Sequence, residues 1–394
     1  MRWLSGSSDS SGLQAAFAAA AASIVARLEG VGPDLVLAFV SSEHHARYGL
    51  LAELVAEAFP GALLLGCSAE SVIGGGREIE ERPGLSLTAA LLPGVTLRPF
   101  QIGPDLPDPA APPAAWARLT GLRPEEDPAF LLLGDPFSVD AEALVTGLDL
   151  AFPLGQKLGG LASGGSAPGE NALFLGANLY RAGAVGVALC GNVVLDTIVA
   201  QGCRPIGNPM FVTRCRDGLL LEVDGRPPLD ELERLFDASD AEDRKLMRSA
   251  LFLGIEMTSR KAEYRQGDFL IRNLSGMDDS NGALAVVSPL QEAQVVQFHV
   301  RDARTSAADL EARLTRYRAE AVADAKPCGA LLFSCLGRGA HLYGEPDHDS
   351  DALRRHLGDL AVGGFFCNGE IGPVEGRTFL HGYTSAFGIV RPRT

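Results

Sequence analysis

Apolar positions follow two rhythms along this chain. From Asp34, "DLVLAFVS" is an unbroken apolar run of strand length. "EHHARYGLLAELVAEAFPG" then repeats apolar residues three and four apart and stops at Pro60-Gly61, the pattern of a helix and its terminator. "ALLLGCSAESVIGGG" is a second strand-like run that dissolves into small residues. "GLSLTAALLPGVTLRPF" reads as a β-hairpin turning at Pro93-Gly94.

The same order returns at Ala129: strand "AFLLLGDP", helix "DAEALVTGLDLAFP", loop "LGGLASGGSAPGE", and hairpin "AVGVALCGNVVLDTIVAQG" turning at Gly191-Asn192. It returns again near the C-terminus as "CGALLFSCLGRG", "DSDALRRHLGDL", "AVGGFFCNGEIGPV" and the closing strand "FLHGYTSAFGIV". A degenerate fourth copy is expected between about Ala250 and Val300. The fold class is therefore α/β: duplicated strand-helix-strand-hairpin units forming mixed β-sheets flanked by helices, in two similar halves. Each strand-helix-strand should be a right-handed parallel crossover. Duplication predicts that equivalent loops meet around pseudo-symmetry axes. A Pro-rich connector with a short helix separates the first two units, near 30–100 and 129–203. The domain boundary falls near Gly207, within about ten residues, giving 1–206 and 207–394. The alanine-rich N-terminus reads as an amphipathic helix from Ser10 or Ser11 rather than a leader.

The 394 residues fit two domains, and 46% hydrophobic with 21% charged residues supplies large cores. A formal charge of −15 argues against nucleic acid and anionic membrane as partners. Four lysines against thirty arginines point to a GC-rich bacterial source. The seven cysteines are scattered, with no C-x-x-C pair, as in proteins of a reducing cytosol. The seven histidines show no metal-ligand spacing. No stretch approaches a spanning length of about 20 strongly apolar residues.

Ligands of open α/β sheets bind beyond the carboxyl ends of parallel strands, where each glycine-rich loop lies. Glycine lets backbone N–H groups approach a bound group. The candidates are Cys67, Ser68 and Glu70 in the first loop and Ser163 and Gly164 in the second. The third unit adds Asn368, Gly369 and Glu370, with Cys335, Gly337, Arg338 and Gly339 in "SCLGRG". Glu370 suits an ammonium and Arg338 a carboxylate, so a zwitterion held between the halves would satisfy both. The plainer reading is that the glycines make tight turns, with Glu370 capping a helix or pairing with Arg338. Cys335 is either an exposed thiol made reactive by Arg338 or a structural cysteine, and Cys67 is equally open; Cys367 and Cys190 read as structural. Ser68 and Ser163 miss the G-x-S-x-G elbow, and no P-loop or dinucleotide fingerprint occurs. A Cys335–His341 dyad lacks a third group to orient its base. The chain reads as a non-enzyme.

"LLLGCSAESVIGGG" resembles the G-C-S-x-x-x-x-I-G segment of the FIST N-terminal domain. "LLFSCLGRG", then "GGFFCNGEIGPV" and "FLHGYTSAFGIV", resembles the FIST C-terminal domain. The name stands for F-box and intracellular signal transduction. The resemblance implies a cytoplasmic sensor that binds a small ligand, such as an amino acid or a relative. It implies signalling through a histidine kinase, a cyclase or a chemotaxis-type receptor. Some members bind haem and respond to nitric oxide, for which His381 or His341 would be the axial ligand. A ligand-independent scaffold is the remaining alternative. About thirty residues precede the first predicted strand, too few for an F-box, so a stand-alone module is expected.

Overall fold

The computed structural model describes residues 1–126, 128–258, 261–320 and 326–393. The three runs expected as first strands, Leu35–Ser41, Ala129–Gly134 and Gly329–Cys335, are strands. Each pairs in parallel with the run after its helix: Leu63–Ala69, Lys157–Leu161 and Val362–Cys367. The intervening helices are Leu51–Ala58, entered through a 3-10 segment at Ser42–Leu50, then Ala141–Ala151 and His348–Leu357. Asp140 caps the second of these, accepting the Ala143 N–H at 2.9 Å.

Three six-stranded sheets result. Sheet one runs Arg2–Ser8, Leu85–Leu91, Leu35–Ser41, Leu63–Ala69, Leu173–Leu175, Asn178–Tyr180. Sheet two runs Val95–Ile102, Ala184–Gly191, Ala129–Gly134, Lys157–Leu161, Glu370–Val374, Arg377–His381. Sheet three runs Val194–Gln201, Thr384–Arg391, Gly329–Cys335, Val362–Cys367, Val72–Gly74, Arg77–Ile79. The mixed α/β class read from the sequence is the class observed.

The two long hairpins are corrected. Pro93-Gly94 and Gly191-Asn192 do turn the chain, but the strands on either side enter different sheets. Leu85–Leu91 already has both neighbours, Arg2–Ser8 and Leu35–Ser41, so the following strand must leave and becomes the edge of sheet two. Val194–Gln201 likewise edges sheet three, and the N-terminal strand Arg2–Ser8, not anticipated from sequence, fills that place in sheet one. The short hairpin after each parallel pair is exported in turn: the first unit's to sheet three, the second's to sheet one, the third's to sheet two. Strand exchange in this cycle gives threefold pseudo-symmetry.

One glycine marks the symmetry in each copy. Gly66, Gly159 and Gly364 lie beside Ala38, Leu132 and Leu332. A Cβ on them would fall 2.0, 1.7 and 1.8 Å from the partner's carbonyl oxygen. The core shared by the sheets includes Phe39, Leu65, Leu131, Leu158, Phe333 and Phe365. Phe39 stacks on Phe365 with centroids 4.8 Å apart. Helix Leu13–Leu28 covers sheet one through Phe17 and Ile24, while Trp116 and Leu148 pack over sheet two.

The chain forms two compact units. One comprises residues 1–199, 311–380 and 384–394 and holds this three-sheet body. The other comprises 200–310 with 381–383. Its strands close a barrel in the order Cys203–Arg216, Leu219–Val223, Ala283–Val286, Phe269–Asp278, Leu251–Glu256, Val295–Arg301. The expected fourth repeat is therefore absent. Leu251–Glu256 and Phe269–Asp278 pair antiparallel with each other, whereas a copy of the unit would have paired them in parallel. Among the described residues no helix is long and apolar enough to cross a membrane.

Candidate functional site

In the three-sheet unit the ends of the second parallel strands are laced together. Ser163 is the knot. Its Oγ accepts the Glu70 N–H at 3.0 Å and donates to the Phe366 carbonyl at 2.5 Å, while its N–H donates to the Ser68 carbonyl at 3.2 Å. Leu161 N–H donates to the Gly369 carbonyl at 2.9 Å, Asn368 N–H to the Leu161 carbonyl at 3.0 Å, and Phe366 N–H to the Ser71 carbonyl at 3.0 Å. A Cβ on Gly164 would lie 2.6 Å from that of Ser68, so the approach requires glycine. Residues named in the first, second and third loops thus meet. Glu70 and Asn368 are exposed, Gly164, Cys335 and Gly337 are half-buried, and Ser163 sits beneath.

Ser68 turns inward. Its Oγ donates to Asn171 Oδ1 at 3.2 Å and accepts the Ala172 N–H at 2.9 Å. Asn171 Nδ2 in turn donates to the buried Asp135 at 3.0 Å. Cys67 is wholly buried in the common core, and burial holds its thiol pKa well above the ordinary value. Neither Asn171 nor Asp135 was singled out from sequence. Asn171 lies 103 residues from Ser68 and 36 from Asp135, beyond any local pattern.

Glu370 answers to the pseudo-symmetry. Gly66, Gly159 and Gly364 face Phe174, Ile371 and Ile73 on the exported hairpins. The preceding hairpin residues are Leu173, Glu370 and Val72. Glu370 is thus a fully buried carboxylate where the other copies place aliphatic side chains. Its Oε2 accepts both the N–H and the hydroxyl of Thr384, at 3.2 and 2.8 Å.

Arg338 is also fully buried, and the expectation that its fork awaits a ligand carboxylate is revised. Nε and an Nη donate to the two oxygens of Asp349 at 3.0 and 3.1 Å, and the Tyr343 hydroxyl accepts at 2.6 Å. Asp349 also accepts from Ser385 and receives the His348 ring nitrogen at 2.9 Å. Burial alone would raise the Asp349 carboxyl, but the Arg338 charge and these hydrogen bonds hold it well below the usual carboxylate range. The exported hairpin of the first unit adds two more acids. Glu78 Oε1 accepts the N–H and hydroxyl of Ser350 at 2.9 and 2.8 Å, and its Oε2 has no hydrogen-bond partner among the described residues. Burial first, then the Asp349 charge, push Glu78 up to about 8. The Glu80 carboxylate accepts the Ala340 N–H at 3.1 Å, and a Cβ on Gly339 would strike it at 2.3 Å.

The histidines named for haem are placed apart in character: His341 is exposed on the short helix Ala340–Tyr343, and His381 is buried at the end of its strand. Among the described residues no group of three His, Cys, Asp or Glu is arranged to hold a metal ion. A recess of about 210 Å³ in the three-sheet unit is lined by Ser5, Gly75, Gly76, Ser350 and Arg354 among others, and one of about 450 Å³ in the barrel by Arg226, Glu231 and Arg234 among others. None of the candidate site residues named from sequence is among the lining residues of either.

The FIST N domain model matches residues 34–226 and the FIST C domain model residues 228–373. The chain is 36% identical over 377 residues to the uncharacterized protein Rv0628c of Mycobacterium tuberculosis, covering 95% of each. It is 35% identical over 364 residues to the uncharacterized protein Mb0898c of Mycobacterium bovis, covering 92% of each. A crystal structure of cyanuric acid hydrolase from A. caulinodans aligns over 100% of this chain and 99% of that one, at TM-score 0.36 and 10% identity. A likeness that weak bears on neither fold nor chemistry.

Proposed function

Because this chain belongs to the FIST family, whose domains are signal-transduction sensor modules, we propose that it is a non-catalytic sensor binding a small polar ligand at the laced strand ends. The observation that carries this reading is the convergence of three strand ends on Ser163, with Glu70 and Asn368 exposed above it. The ligand class is an amino acid or a relative. Glu70 supplies a carboxylate for an ammonium group, and the Asn368 amide donates to a carboxylate. Arg338 acts from below: its ion pair with Asp349 stiffens the loop that leads from Cys335. The signal passes to a partner such as a histidine kinase, a cyclase or a chemotaxis-type receptor. Seven cysteines without a disulfide accord with a reducing, cytoplasmic setting.

A thermal-shift screen of amino acids and metabolites tests the reading. A ligand at about 100 times its dissociation constant adds roughly 2.7 kcal/mol of stability. Glu70→Ala and Asn368→Ala should abolish the shift while leaving the unliganded melting temperature in place, since both side chains are exposed. The reading falls if no compound shifts melting, or if the shift survives both substitutions.

A further inference from the structure

We propose that Cys335 and Cys367 form an oxidisable thiol pair, a modification site at which a hydroperoxide links the ends of two parallel strands through a disulfide. The inference stands apart from ligand binding and rests on strand register. Cys335 and Cys367 are direct partners in the parallel ladder, and the ladder continues past them, with Leu336 N–H donating to the Cys367 carbonyl at 3.1 Å. Neighbouring strands lie about 4.8 Å apart, inside the Cα separation of roughly 4.4–6.8 Å that a disulfide spans. The side chains share a face. Two residues earlier, Phe333 and Phe365 are also partners, and their rings meet edge to face at 5.6 Å. Alternation along a strand returns the same face every second residue, so the two thiols project together. None of the seven cysteines is in a disulfide in this structure.

Their environments set the order of events. Cys335 is half-buried at the strand end and lies near enough to the Arg338 guanidinium for their charges to interact. At that partly open position Cys335 is the thiol a hydroperoxide can reach. Cys367 is fully buried, and burial keeps it a thiol. The Cys335 sulfur therefore attacks the peroxide oxygen, the O–O bond breaks, and sulfenic acid and water form. The Cys367 sulfur then attacks the sulfenic sulfur. The hydroxyl leaves and takes up the Cys367 proton as water, and the S–S bond closes. Two thiols lose two electrons in all, and one peroxide becomes two waters, or water and an alcohol.

Hydrogen peroxide added to the whole reduced protein, followed by thiol blocking and peptide mapping without reductant, tests this. The expected product is one cross-linked peptide pair containing Cys335 and Cys367, with two fewer of the seven titratable thiols after denaturation. In Cys367→Ala, dimedone should instead trap a sulfenic acid at Cys335, and in Cys335→Ser no cross-link should form. The mapping of the unsubstituted protein needs neither variant to fold. A disulfide joining either residue to Cys67, a wild-type reaction that stops at sulfenic acid, or an unmodified pair would each overturn the proposal.

Discussion

Replacing Arg338 by alanine removes the cation from a carboxylate that the fold has sealed in. Arg338 is 0% and Asp349 2% exposed, and two hydrogen bonds of 3.0 and 3.1 Å join them. At about 4 Å, charges interact by roughly 4 kcal/mol with an effective dielectric constant near 20, and removing one partner of a buried pair costs about 3–5 kcal/mol. Ser385 and His348 still donate to Asp349, so the lower end applies, about 3 kcal/mol. Asp349→Ala should cost at least as much. Arg338→Met with Asp349→Leu should recover most of the loss, because the desolvation of both charges vanishes with their attraction. Urea unfolding followed by tryptophan fluorescence is the assay: the chain has two tryptophans, Trp3 and Trp116, and both lie in the three-sheet unit. Since the Asp349 carboxyl is held below its ordinary value, its contribution is present above about pH 4 and is lost as pH falls toward the folded value. A loss under about 1 kcal/mol for Arg338→Ala, or a double variant no more stable than the singles, would refute the assignment.

Glu78 titrates in the opposite sense. Its pKa is raised to about 8, so its stabilising protonated form counts fully below about pH 4.5 and the contribution is lost as pH rises through 8. Glu78→Gln should flatten stability across that window and be the more stable protein at pH 8; parallel wild-type and variant curves would contradict this. Gly66→Ala, Gly159→Ala and Gly364→Ala should each destabilise by about 3 kcal/mol or more, because the new methyl meets backbone rather than a movable side chain. Unequal effects, with one site neutral in urea melts, would break the equivalence of the three copies.

The parallel pairs were legible because strand-helix-strand spacing is local, and so was the meeting of equivalent loops, which duplication implies. The destination of each strand was not. Pro93-Gly94 has the chemistry of a hairpin turn and does turn the chain, but nothing near it records that Leu85–Leu91 pairs with residues 2–8 and 35–40. The first strand, "RWLSGSS", was overlooked because its buried positions after Trp3 and Leu4 are serine and glycine. Glycine and polar residues marked the loops that the structure laces together. The partners of buried charge did not show: Asp349 lay inside a predicted helix with nothing to tie it to Arg338, and Glu78 arrives from a hairpin made some 270 residues earlier than the Ser350 it binds. Glu370 drew notice as a lone acid among glycines, yet only the register reveals that it replaces Val72 and Leu173.

The claim that the three laced strand ends receive the ligand is tested most directly by calorimetric titration of the compound that shifts melting most. Wild type, Glu70→Ala, Asn368→Ala and the barrel variant Arg226→Ala would be compared. Binding should weaken at least about tenfold, roughly 1.4 kcal/mol, in each of the first two variants and stay unchanged in the third. Wild-type affinity in both rim variants would contradict the account.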